Sequence, residues 1–129
     1  MRSVNPQGWP RPRGYSNGIE ARGRLLFVAG QIGWDEQERI VSDDLIEQTR
    51  QALKNTVAVL AAGGAKPEHI VRMTWYVTDK REYLAAGREV GRAYRELIGV
   101  YNAAMTAVQV SALIEDRAKV EIEATAVLP

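Results

Sequence analysis

Lys119-Val120-Glu121-Ile122-Glu123-Ala124-Thr125-Ala126-Val127 alternates apolar and polar side chains along its whole length. Successive side chains of a strand point to opposite faces, so this segment reads as a strand. It sets Val120, Ile122, Ala124 and Ala126 against a core and Lys119, Glu121, Glu123 and Thr125 on the other face. A turn region around Glu115-Asp116 leads into it, and Thr106 to Ser111 reads as the strand before. Further back, Ile70 to Val77 is rich in β-branched and aromatic residues. Val71, Met73, Trp75 and Val77 share one face, with Arg72, Thr74 and Tyr76 on the other. Leu25-Leu26-Phe27-Val28-Ala29-Gly30 is apolar on both faces, as a buried strand is. With Ser16 to Arg22 across a turn at Gly23 it predicts a hairpin.

Two helices are interleaved with these strands. Ser42-Asp43-Asp44 supplies an N-cap and first-turn acids, after which Leu45, Thr49, Ala52, Leu53, Val57 and Leu60 recur at helical spacing until Gly63-Gly64. Asp79 and Glu82 form a capping box for a second stripe, Tyr83, Gly87, Val90, Gly91, Tyr94 and Leu97, which ends at Gly99. A glycine inside a helix costs about 1 kcal/mol relative to Ala. Gly87 and Gly91 therefore imply close approach of that helix to a sheet or to a neighbouring subunit.

The order strand, strand, helix, strand, helix, strand, strand predicts one α+β domain over 1–129, a mostly antiparallel sheet with two helices on one face. Pro6, Pro10 and Pro12 make residues 1–14 an irregular arm. A single helical layer leaves the other sheet face open, and its strands carry apolar residues on both sides, which predicts subunit association. The chain has 17 basic and 16 acidic residues, so no polyanion-binding surface is implied, and no nucleic-acid partner is expected. It holds no Cys and one His, His69, which removes disulfides, thiolate nucleophiles, Cys-ligated zinc and a His-based triad in one subunit. No metal site is expected. No apolar run approaches the roughly 20 residues of a membrane-spanning helix. The N-terminus, Met-Arg-Ser-Val-Asn-Pro-Gln-Gly-Trp-Pro, lacks the apolar core of a secretory signal, so the expected location is the cytoplasm.

Five segments stand in the order and spacing of one family: Gly14-Tyr15-Ser16, Leu26-Phe27-Val28-Ala29-Gly30-Gln31-Ile32, Gln48-Thr49-Arg50-Gln51-Ala52-Leu53-Lys54-Asn55, Val77-Thr78-Asp79 and Val120-Glu121-Ile122-Glu123-Ala124. From about Tyr15 to Val127 the chain resembles the RidA/YjgF family, the reactive intermediate deaminases, some of whose members carry ribonuclease labels. The resemblance implies a chorismate-mutase-like α+β fold and a homotrimer with small-molecule clefts between subunits. It also implies hydrolysis of imines and enamines to keto acids and ammonia without a cofactor. A guanidinium would hold the substrate carboxylate while a carboxylate activates water. In the deaminating branch that guanidinium opens the penultimate strand in the pattern Pro-Ala-Arg-Ser. Here Ala103-Ala104-Met105-Thr106 is aligned with it, so Met105 stands at the Arg position, and Ala29 stands where a pocket hydroxyl is common. A thioether does not replace a bidentate cation.

On this resemblance Glu121 is the candidate acid or base, and Tyr15, Gly30, Gln31, Met105 and Thr106 shape the cleft. Each has a plainer reading. Glu121 can belong to a solvated or interface face with a cross-strand ion pair. Tyr15 can pack against the arm, Gln31 can satisfy backbone groups, and Met105 can be core. Trp34 and Trp75 suit an apolar cleft, though Trp75 lies on a core face; His69 reads as a surface residue. Arg88, Arg92 and Arg95 share a helix surface with Glu89 and Glu96, an ion-paired face or the source of a replacement cation. Two functions follow: an imine or enamine hydrolase with a substrate other than 2-iminobutanoate, or a non-catalytic trimer binding an apolar or aromatic metabolite.

Overall fold

A computed structural model describes residues 1–129. The alternating C-terminal segment forms β6 (Val120–Leu128), one of the two central strands of a four-stranded sheet. β3 (Arg24–Ile32) and β4 (Ile70–Val77) flank β6 antiparallel on either side. β5 (Ala104–Gln109) lies parallel to β4 at the edge, so the order is β3-β6-β4-β5. Val120, Ile122, Ala124 and Ala126 are buried, as the alternation requires. β4 bulges between Ile70 and Arg72, which shifts Val71 out of strict alternation and leaves it half-buried.

α1 (Leu45–Ala62) packs on one face of this sheet. Asp44 caps it by accepting from Glu47 N–H at 3.0 Å. It ends where Ala65 N–H reaches back to the Leu60 carbonyl at 2.8 Å across Gly64, whose φ is +80°. Leu53 and Leu60 are fully buried. Gln48, Thr49 and Thr56 share that buried face. The two threonines satisfy themselves by donating to the carbonyls of Leu45 and Ala52.

The second helical segment is divided, which corrects the expected continuous helix. α2 (Lys80–Ala85) and α3 (Gly87–Leu97) meet at Ala86, which ends one and begins the other. Asp79 does cap α2, accepting from Arg81 and Glu82 N–H, but the Glu82 side chain accepts from Lys119 Nζ at 3.1 Å instead of returning to close the box.

The expected hairpin does not form either. β2 (Gly18–Glu20) pairs with β1 (Arg2–Val4), so the N-terminal arm contains a strand, and β3 takes β6 as its partner. Gly23 is not a hairpin turn. With φ at +147° it passes against the end of β6, where a side chain would lie 2.9 Å from the Leu128 carbonyl carbon. Such close passage carries the chain over the end of the sheet instead of folding β2 back on β3.

All helices lie on one side. The other sheet face presents Leu25 and Phe27, 61% and 70% exposed, with Tyr76, Thr106, Val108, Glu121 and Glu123. No helix is long and apolar enough to cross a membrane.

Candidate functional site

Ser16 fixes one wall of the site. It is buried, its N–H donates to the Ala103 carbonyl at 3.0 Å, and its hydroxyl donates to the Asn102 carbonyl at 2.8 Å. This lashes the arm to the start of β5 and brings Tyr15 alongside Asn102 and Met105. Behind them α3 stands off from β4 and β5, leaving a cavity of about 580 Å³, well within the size of small-molecule sites. Tyr15, Trp75, Tyr83, Tyr94 and Met105 line it, together with Ala107. The rings of Tyr83 and Tyr94 both tilt against Trp75, with centroids 6.5 Å away.

Gly87 and Gly91 also border this cavity. A Cβ on Gly87 would meet nothing within 4 Å, and one on Gly91 only the Arg95 side chain. Neither glycine is pressed against the sheet of its own chain. Their bare backbone widens the cavity.

Burial disfavours ionisation of two phenols of this wall, Tyr83 and Tyr94. It raises Tyr83 above its usual value and pushes Tyr94 up to about 12, and the Tyr94 hydroxyl donates to the Tyr101 carbonyl at 2.6 Å. The indole N–H of Trp75 is buried and has no acceptor within the chain.

Gly30, Gln31, Thr106 and Glu121 do not line this cavity. Met105 pairs in register with the buried Met73 on the helix side of the sheet, so Thr106, one residue on, points to the open face. Glu121 lies on that open face too, half-buried and without an ion pair or hydrogen bond. It sits against Gly30, where a side chain would come within 2.8 Å of its carboxyl carbon. Gln31 follows, its amide donating to the Ala29 carbonyl at 3.1 Å. The neighbouring Glu123 accepts from the Tyr76 hydroxyl at 2.6 Å, a hydrogen bond that raises the Tyr76 phenol above its usual value.

Polar ties from α1 hold this second group. Asn55 donates to the carbonyls of Ile32 and Trp34 at 3.1 and 2.8 Å, fixing the end of β3 beyond Gly30. Gln48 donates to the carbonyls of Ser42 and Arg117 at 2.8 and 3.0 Å and accepts from Lys119 N–H at 2.8 Å, fixing the approach to Glu121. Trp34 is half-buried and lies outside the cavity. His69 stays at the foot of β4, where Nδ1 accepts from Lys66 N–H at 2.9 Å. No three His, Asp or Glu side chains gather as a metal-ligand set. Two groups of candidate residues thus lie on opposite faces of one sheet.

The family profile described as Endoribonuclease L-PSP matches residues 10–128. The chain belongs to the RidA/YjgF family. Among its relatives, the RutC family protein PH0854 of Pyrococcus horikoshii is 39% identical over 119 residues, 91% of this chain and 90% of that protein. The 2-iminobutanoate/2-iminopropanoate deaminase of Salmonella typhimurium is 34% identical over 116 residues, 88% of this chain and 86% of the enzyme. The Rid-family protein YyfB of Yersinia pestis superposes with a TM-score of 0.85 at 35% identity, over 98% of both chains. The α+β fold, with its mixed sheet and one helical layer, is therefore the Rid fold.

Sequence reasoning passed over most of the cavity wall. The signal it held was the pair of glycines in the second stripe, since a helix that carries two on one face gives up stability there for a reason.

Proposed function

We propose that the chain is a cofactor-free hydrolase of reactive imines or enamines, with a substrate other than 2-iminobutanoate. Its clefts form where the cavity of one copy meets Gly30 and Glu121 of the next in a homotrimer. The observation that carries this reading is Glu121: an unpaired carboxylate seated against a residue without a side chain, on a sheet face that no element of the chain covers. One sheet separates Glu121 from the cavity, so the two groups meet only between copies. The exposed Leu25 and Phe27 supply apolar area for such an assembly.

In this mechanism Glu121 accepts a proton from a water that attacks the imine carbon. That proton passes to the nitrogen, giving a carbinolamine; Glu121 then carries the proton of the new hydroxyl to the same nitrogen as the C=O bond forms and the C–N bond breaks, so that a carbonyl compound and ammonia leave. Gly30 leaves the space in which the Glu121 carboxylate sits. Tyr15, Gln31, Met105 and Thr106 are assigned to the walls of the assembled cleft. Kinship with a 2-iminobutanoate/2-iminopropanoate deaminase supports the reaction class. Met105, aligned with the clamping Arg, supports a different substrate.

The test is ammonia release from freshly generated imines that differ in side chain, comparing wild type with Glu121→Gln. Faster release by wild type on at least one substrate is expected; equal rates throughout would end the proposal. A second reading, a trimer that binds an apolar or aromatic metabolite without turnover, is favoured by one observation: the cavity wall holds aromatic rings and Met105 but no carboxylate. Saturable binding with no ammonia release on any substrate would select it.

A further inference from the structure

The cavity beside α3 is lined by two arginines, Arg13 and Arg95, and by no Asp or Glu. Neither arginine makes an ion pair within the chain. Glu96, next to Arg95 in the sequence, is paired with Arg50 at 2.7 Å. Unpaired positive charge beside a wall of aromatic rings is suited to an organic anion with an apolar body.

Arg95 is the better placed of the two. It lies one helical turn after Gly91, and its Nη1 is 3.2 Å from the position a Cβ on Gly91 would take. The guanidinium therefore folds back over the bare backbone of Gly91, and both residues border the cavity. A larger residue at 91 would occupy that place, which gives the second helical glycine its reason. α3 is itself fixed, with Ala93 and Tyr94 buried and Glu96 tied to α1 through Arg50. Arg13 hangs on a segment outside any strand or helix.

We propose that Arg95 holds the carboxylate of the ligand, and that the ligand is a monocarboxylate with an aromatic body lying against Trp75, Tyr83 and Tyr94. The clamp thus comes from helix α3, while Met105 on β5 contributes apolar wall.

This rests on the cavity being the ligand site, as in the proposed function, but it is read by binding alone. The probes are 3-phenylpropanoate, its neutral counterpart 3-phenylpropan-1-ol, and butanoate, titrated by calorimetry into the full chain. The aromatic acid is expected to bind more tightly than the other two. Arg95→Gln should weaken it at least about tenfold while leaving the alcohol unchanged, and Arg95→Lys should recover part of the loss. Gly91→Leu, which takes the guanidinium's place, should weaken the acid while raising the thermal midpoint through better helix propensity, a divergence that a merely structural role would not give.

Equal affinity for acid and alcohol would overturn the proposal. So would an unaltered affinity in Arg95→Gln, or a larger loss in Arg13→Gln. Arg95-dependent binding without ammonia release from any imine would leave this assignment standing and sink the hydrolase. Ammonia release indifferent to Arg95→Gln would do the reverse.

Discussion

Replacing Gln48 by Leu removes the polar junction that joins α1 to the start of β6. Gln48 is fully buried and makes three hydrogen bonds, to Ser42 O, Arg117 O and Lys119 N–H. Leucine fills nearly the same volume, so the change leaves little cavity and isolates the polar loss. It strands two carbonyls and one N–H. A buried polar group left without a partner costs about 1–3 kcal/mol. These three are only partly buried and recover some hydration, so about 1 kcal/mol each, or about 3 kcal/mol in all, is the expected loss. That is a large share of the 5–15 kcal/mol typical of a domain. Urea unfolding at matched chain concentration should show a lower midpoint with an unchanged slope, and amide exchange at Lys119 should accelerate. Gln48→Glu separates hydrogen bonding from packing. A carboxylate would face two carbonyls, so its folded pKa would rise above the unfolded value near 4.3. Its contribution would then be complete below that value and lost as pH rises through the folded one. A loss under about 1 kcal/mol in Gln48→Leu, or a Gln48→Glu chain with a flat pH profile, would refute the role given to this junction.

Met105→Arg sets a guanidinium at the position of the aligned clamp, and measurable 2-iminobutanoate hydrolysis is expected from it. Unchanged rates in a folded assembly would show that other parts of the wall decide the substrate. Tyr94, held neutral up to about 12, binds its proton more tightly folded than unfolded, near 10. The stability it contributes is complete below pH 10 and is lost as pH rises from 10 towards 12. Tyr94→Phe should therefore flatten the alkaline limb of the stability profile. It should also cost about 1 kcal/mol at neutral pH through the lost hydrogen bond to Tyr101 O, both read by chemical unfolding across pH.

Periodicity made β6, β4 and α1 legible, because each buries one face and the alternation or helical stripe records which. It failed where the structure depends on contacts distant in sequence. β2 pairs with β1, and β3 pairs with β6 from Arg24 opposite Leu128, a contact spanning most of the chain. The break at Ala86 leaves the apolar stripe intact and so has no periodic trace. For the site, the five family segments marked Gly30 and Glu121, and the structure adds why they are neighbours: Gly30 leaves room for the carboxylate. The segment from Gln48 to Asn55 proves to be a set of polar ties that hold the end of β3 and the start of β6. Arg95 could not be picked out from Arg88 and Arg92 by spacing alone, since only the fold shows which one borders the cavity.

Ammonia release by mixed assemblies tests the account most directly. One parent carries Glu121→Gln. The other carries Gly87→Trp, which fills the cavity from a position where a Cβ meets nothing within 4 Å. Each parent alone should be inactive on the imine that wild type hydrolyses. Refolded together in equal amounts, they should recover about a quarter of wild-type activity, because an intact cavity then faces an intact Glu121 at about one interface in four. Mixed assemblies no more active than their parents, beside an active wild type, would contradict a site divided between two copies.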